Sequence, residues 1–170
     1  ILQMAKSRGI KCINGIASFK SKNEISILND DINKNFSFDN CIIATGSRPT
    51  KIPDNLVNSP NDPRILNSTE LLNLHKIPPK LLIIGGGYIG LEMGSVFSSF
   101  GSDVSIVEFM PSLLPGADSD LIKPLYEKLK NKFTNIYLST KITKIESIDA
   151  GLRTTFIDKT DSLFNEVFDN

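Results

Sequence analysis

Four large apolar residues, Leu81 to Ile84, run straight into Gly85-Gly86-Gly87, with Gly90 three residues further on. This is the feature that most constrains the chain. A short continuous apolar run fits a strand buried on both faces. The residues after it, Tyr88 to Phe100, place Ile89, Met93, Val96 and Phe100 at i, i+4, i+7 and i+11, which predicts a helix with those four on its buried face. Gly101 then closes the helix. Asp103 to Phe109 reads as the next strand, with Glu108 at its end. Strand, glycine turn, helix, strand is the opening of a parallel α/β fold.

The order G-x-G-x-x-G after a strand and before a helix is the context a dinucleotide fingerprint requires. Gly85 suits the tight turn. Gly87 suits close approach of a pyrophosphate, which a Cβ would block. Gly90 suits close packing of helix on strand. The helix N-terminus offers unpaired N–H groups and the positive end of its dipole to phosphate. Glu108 lies 18 residues after Gly90, where a carboxylate accepts hydrogen bonds from ribose hydroxyls. No Arg or Lys occurs between Asp103 and Pro111, so NAD is expected rather than NADP.

Upstream, Ile1 to Ser7 reads as the tail of a helix. A strand is expected over Ile10 to Phe19, broken at Asn14-Gly15. Glu24 to Leu28 and Phe36 to Phe38 follow as strands around a polar turn at Asn29 to Asn33. Cys41 to Ala44 reads as a further strand buried on both faces, followed by Thr45-Gly46-Ser47. Those small residues at a strand end suit either a close ligand or an ordinary turn. Pro49, Pro53, Pro60 and Pro63 mark residues 49 to 63 as linker-like. Asn67 or Ser68 caps a short helix through Leu74, and Asp118 or Ser119 caps another, to about Asn131, that contains Pro124. Ile136 to Ile148 reads as strand. Phe38-Asp39-Asn40 and Phe168-Asp169-Asn170 each follow a β-meander pattern, which makes a duplicated architecture plausible.

Composition excludes several classes. Lys+Arg equals Asp+Glu at 19 each, so a general electrostatic grip on nucleic acid or anionic membrane is not expected. No apolar run reaches the length of a membrane span, and no signal peptide is visible at the start, which opens mid-pattern. Two cysteines, Cys12 and Cys41, form no C-x-x-C pair and read as small buried hydrophobes. The single histidine, His75, reads as a surface residue, and no metal site is expected.

The stretch K-L-L-I-I-G-G-G-Y-I-G-L-E-M-G-S-V-F (80–97) and the stretch S-I-V-E-F-M-P-S-L-L-P-G-A-D-S-D-L (105–121) closely resemble the dihydrolipoamide dehydrogenase family of flavoprotein disulfide reductases. N-G-I-A-S-F, I-I-A-T-G-S-R-P, D-P-R-I-L-N-S-T-E-L-L and T-K-I-T-K-I-E extend the resemblance to about Glu146. The resemblance implies a homodimeric enzyme that passes electrons from dihydrolipoamide through a redox disulfide and FAD to NAD. Its partners would be lipoyl domains of 2-oxo acid dehydrogenase complexes or the glycine cleavage system. Position by position, it implies an NAD site of Gly85, Gly87, Tyr88, Ile89, Gly90, Glu92, Glu108 and Ile142, and FAD contacts at Ala17, Thr45, Gly46 and Ser47. The family's FAD glycine motif, redox cysteine pair and His-Glu base have no match here, so no catalytic residue is expected in this chain. It therefore resembles the middle of such an enzyme. Residues 1–50 would end a FAD-binding Rossmann-like domain, and 51–79 would cross over. Residues 80–170 would form a Rossmann-like NAD-binding domain with parallel sheet and β-meander, lacking its last strand. A bacterial cytoplasmic location, or alternatively the mitochondrial matrix, is expected. The rival readings are another NAD-linked flavoprotein disulfide reductase and a non-catalytic dinucleotide-binding module.

Overall fold

The computed structural model describes residues 1–29 and 33–170, which divide into two compact units, Ile1–Ser47 and Arg48–Asn170. The first unit consists of α1 (Leu2–Ser7) and a three-stranded antiparallel meander, β1 (Ile16–Ser21), β2 (Glu24–Leu28) and β3 (Asn33–Ser37). Ala17 pairs with Ile27 and Ile25 with Phe36. Residues 30–32 of the expected polar turn lie outside the described residues. None of the described residues of this unit is buried.

Three expectations fail in this unit. Cys41 to Ala44 is not a strand, and Ile42 is 90% exposed. A strand apolar on both faces needs a sheet neighbour and a covering layer on each side, and the unit supplies neither to this segment. For the same reason Cys12 and Cys41 are exposed rather than buried. The strand expected from Ile10 begins only at Ile16, after Gly15.

The second unit is layered. A parallel sheet in the order β4 (Lys80–Ile84), β5 (Asp103–Val107), β6 (Asn135–Tyr137) holds α3 (Tyr88–Ser99) and α4 (Ser119–Lys130) on one face. An antiparallel meander, β7 (Lys141–Ile148), β8 (Gly151–Ile157) and β9 (Leu163–Phe168), covers the other. Strand alternation divides the side chains between two cores. Leu81, Ile83, Val104 and Ile106 pack with Leu91, Phe97, Leu129 and Phe133 on the helix side. Leu82 and Val107 pack with Ile142, Ile145, Leu152, Phe156 and Phe168 on the meander side. The α/β class read from the sequence holds.

The proline-rich segment is part of this unit. Val57 is buried in the meander-side core and bridges to Ile145. Arg64 donates through Nε and Nη2 to both carboxylate oxygens of Asp62, at 2.9 and 2.7 Å, and through Nη1 to the Ile148 carbonyl. α2 (Ser68–Leu72) then opens with a complete capping box: the Asn67 side chain accepts from the Thr69 and Glu70 N–H groups, and Glu70 accepts from the Asn67 N–H.

Two further expectations are corrected. The buried face of α3 is Leu91, Gly94 and Phe97, whereas Ile89, Val96 and Phe100 are exposed. Small residues decide this: a Cβ on Gly94 would already touch Phe133 and Ile83, so the helix lies on the sheet by its glycine side. The expected strand Ile136 to Ile148 is two strands in different sheets, parted at Ser139, whose φ of 50° turns the chain.

At the other edge of β4, the Asp169 N–H donates to the Lys80 carbonyl and the Leu82 N–H donates to the Asn170 carbonyl, at 2.9 Å each. Toward β5, the residues flanking the strand do the same: the Pro79 carbonyl accepts from the Asp103 N–H and the Gly85 N–H donates to the Val107 carbonyl. β4 is thus flanked on both sides. The first F-D-N triplet follows a three-stranded antiparallel meander, and the second begins on the last residue of one. Glu166 on β9 ties the layers together, accepting from Tyr137 Oη at 2.9 Å and pairing with Lys80 Nζ at 2.8 Å. Burial first, and this bond second, push the Tyr137 phenol up to about 12.

Candidate functional site

The parallel strands β4 and β5 end side by side, Ile84 opposite Val107. The chain therefore delivers the glycine turn and Glu108 to one sheet edge, the carboxyl end where open α/β sheets take their ligands. Gly85 carries a φ of 105°, a conformation that L side chains rarely adopt, and makes the turn out of the sheet. Gly90 sits one helical turn on. A methyl group there would collide with the Gly85 carbonyl oxygen, so only glycine lets α3 start this close to its strand.

Gly87 is the N-cap of α3, and no side chain caps the helix. The first intrahelical bond runs from the Leu91 N–H to the Gly87 carbonyl. The N–H groups of the first turn therefore face an incoming acceptor, as an anion-binding helix start requires. A Cβ on Gly87 would meet no protein atom within 4 Å, so the space in front of the turn is open.

Glu108 is 9% exposed. Its Oε2 accepts from the Gly86 N–H and its Oε1 from the Met110 N–H, both at 2.7 Å. Its own N–H donates to Tyr137 and its carbonyl accepts from Thr140. The carboxylate is thereby fixed beside the glycine turn, and each oxygen keeps lone-pair capacity for a further donor.

Of the sequence-derived residues, Gly85, Gly87, Gly90 and Glu108 come together here. Tyr88 and Glu92 share one face of α3, one turn apart, and both are exposed. Ile89 is exposed next to them. Ile142 lies on β7, two residues beyond Thr140 and buried in the meander-side core. Ala17 is an exposed residue of β1 in the first unit, and Thr45, Gly46 and Ser47 form an exposed irregular stretch there, with Gly46 at a φ of 77°. Gly86, Leu113 and Leu114 were missed. Gly86 is a variable position of the fingerprint, and nothing in the L-L-P-G pattern shows that it folds back onto that glycine.

Among the described residues there is no cluster of His, Cys, Asp and Glu able to hold a metal. No helix among them is long and apolar enough to cross a membrane.

Comparison with known proteins now adds to the geometry. The chain is 42% identical to a dihydrolipoyl dehydrogenase from Vibrio cholerae over 149 residues, 88% of this chain and 30% of that protein. It is 34% identical to a dihydrolipoyl dehydrogenase from Staphylococcus aureus over 153 residues, 90% of this chain and 32% of that protein. It spans about a third of the length of these relatives. Among solved structures, the HOCl-induced flavoprotein disulfide reductase RclA from Escherichia coli superimposes with a TM-score of 0.73 at 28% identity, covering 97% of this chain and 36% of that one. Residues 2–165 match the profile of the pyridine nucleotide-disulphide oxidoreductases, and the chain belongs to that family.

Proposed function

We propose that this chain is the NAD-binding part of a dihydrolipoyl dehydrogenase. Residues 1–50 would be the end of its FAD-binding domain, 51–79 the crossing segment and 80–170 the NAD-binding domain. The observation that carries the reading is the 2.7 Å bond from the Gly86 N–H to Glu108, which sets a carboxylate beside an uncapped helix start. Phosphate oxygens fit the N–H groups of Gly87, Tyr88, Ile89 and Gly90. Ribose hydroxyls fit the free lone pairs of Glu108, which would repel the additional phosphate of NADP. Ile142 would offer backbone near the adenine. Tyr88 and Glu92 would line the approach of nicotinamide, and Ala17, Thr45, Gly46 and Ser47 would touch FAD.

When bound, the nicotinamide accepts a hydride. This chain's residues bind and orient, and they hold no group that makes or breaks a bond. In the longer enzyme the partners would be a second subunit and lipoyl domains of 2-oxo acid dehydrogenase complexes or the glycine cleavage system, in the bacterial cytoplasm. The likeness to RclA favours, as a second reading, another flavoprotein disulfide reductase. Dihydrolipoamide-dependent NAD reduction by the longer protein separates the two.

Fluorescence titration with NADH tests the site directly. The chain should bind NADH, bind NADPH at least about tenfold more weakly, and lose NADH affinity in Glu108→Ala. Unchanged affinity in Glu108→Ala would overturn the ribose assignment.

A further inference from the structure

The loop between β5 and α4 reaches back onto the glycine turn as well as into the core. Leu113 is fully buried in the helix-side core. Its Cδ2 stands 2.7 Å from the point a Cβ on Gly86 would occupy, with Glu108 Cβ at 3.2 Å beside it. Leu114, at a φ of 47°, donates its N–H to the Gly86 carbonyl at 2.9 Å. A branched residue in left-handed backbone persists only where its surroundings over-determine it. Here the surroundings are a buried neighbour on one side and a hydrogen bond on the other.

Gly86 is therefore gripped three ways. Its N–H is held by Glu108, its carbonyl by Leu114, and its Cα face by Leu113. The next residue, Gly87, begins the free N–H groups of α3, with open space in front. Fixing the Gly86 peptide fixes the direction in which Gly87 and the first helical turn present their donors. Glu108, anchored by Met110 from the same loop, is set by the same contacts.

We propose that Leu113 and Leu114 are positioning residues for nucleotide binding, which act by clamping the Gly86 peptide between the 109–117 loop and Glu108. The proposal rests on the nucleotide-site reading above. It adds that the L-L-P-G loop prearranges the site rather than only filling the core. Preorganised donors spare a ligand the cost of ordering them.

Size complementation on the full chain tests it, with NADH as probe and under conditions where each variant is folded by its urea midpoint. Gly86→Ala should push Leu113 away and weaken NADH binding about tenfold, the worth of one well-placed hydrogen bond to a charged group. Leu113→Ala should weaken it comparably, and Leu113→Met, which keeps the volume, should not. The double variant Gly86→Ala/Leu113→Ala restores room for the new methyl and should bind better than Gly86→Ala alone. A purely structural Leu113 would shift the urea midpoint and leave affinity unchanged, which would overturn the proposal. If the variants do not fold, hydrogen exchange of the wild-type chain decides: the Leu114 amide, which donates to the Gly86 carbonyl, and the Gly86 amide should both exchange far more slowly than that of Gly87. Equal rates would overturn the clamp. A wild-type chain that binds no NADH would instead overturn the site reading, while slow Leu114 and Gly86 exchange would still report the clamp.

Discussion

The two units carry similar apolar side chains and use them in opposite ways. Ile42 in the first unit is 90% exposed, whereas Ile106 in the second is fully buried between β4 and β6 and under the helices. Among the described residues the first unit is a single meander with one short helix and no second layer of its own, so its apolar residues find only partial cover, as in the edge-on Phe19–Phe38 ring pair. The second unit is three layers with a core on each face of its parallel sheet. Hydrophobic content alone does not make a core; a sheet face does so only when another element covers it. The candidate nucleotide site falls in the layered unit because its geometry depends on two adjacent parallel strands that end together.

The sharpest way to break that contrast is a matched pair of truncations. Ile106→Ala should destabilise the second unit by about 2–5 kcal/mol, through lost transfer free energy plus the cavity left in a packed core. Ile42→Ala should change unfolding free energy by no more than about 0.5 kcal/mol, as for an exposed side chain without partners. Urea denaturation followed by circular dichroism measures both. A comparable loss in Ile42→Ala would show that the first unit has a core of its own.

A second test concerns what ties the proline-rich segment into the layered unit. The Arg64 side-chain hydrogen bonds hold the Asp62 carboxyl far below its ordinary value of 3.8, against the opposing pull of partial burial. A depressed folded-state value means that the charged carboxylate stabilises the fold. That contribution is whole above about pH 4 and is lost as pH falls further toward the folded-state value. Asp62→Asn should therefore lower Tm by a few degrees at neutral pH, with the gap to wild type closing below pH 4. A gap that stays constant between pH 7 and pH 3 would remove the Asp62–Arg64 pair as its cause.

The sequence was most legible where local rules and tertiary demands coincide. Leu81–Ile84, the glycine turn, α3 and β5 followed from apolar run, fingerprint and period, and Glu108 followed from spacing. Legibility failed where tertiary packing chose between local options. The apolar stripe Ile89, Met93, Val96 and Phe100 has a helical period, but only Met93 of the four packs against the core, because the sheet took the neighbouring face, where Gly90 and Gly94 allow close approach. Cys41 to Ala44 has the composition of a buried strand and no sheet to join. Ile136 to Ile148 reads as one strand because Ser139, which breaks it, is an ordinary residue in an uncommon backbone conformation. The grip of Leu113 and Leu114 on Gly86 depends on contacts 27 and 28 residues apart, which no local pattern encodes.

A further, smaller loss tests an element that a local signal nearly specifies, the short helix α2, for which the sequence offered Asn67 or Ser68 as cap. Asn67 begins α2 in backbone extended at φ −88° and ψ 174°, and its side chain accepts from Thr69 at 2.9 Å and Glu70 at 3.1 Å. Glu70 returns the bond to the Asn67 N–H at 2.8 Å. A helix of five residues is too short to persist on propensity alone. Leu71, its one buried residue, and the cap must hold it to the unit. Asn67→Ala should therefore cost about 1 kcal/mol, as for a typical lost N-cap, and Asn67→Asp should restore nearly all of it, since an aspartate caps equally well and favours the helix dipole. Both are read from urea midpoints of the second unit. If Asn67→Ala is silent, burial of Leu71 alone holds α2, and even this locally encoded element owes its place to the layered core.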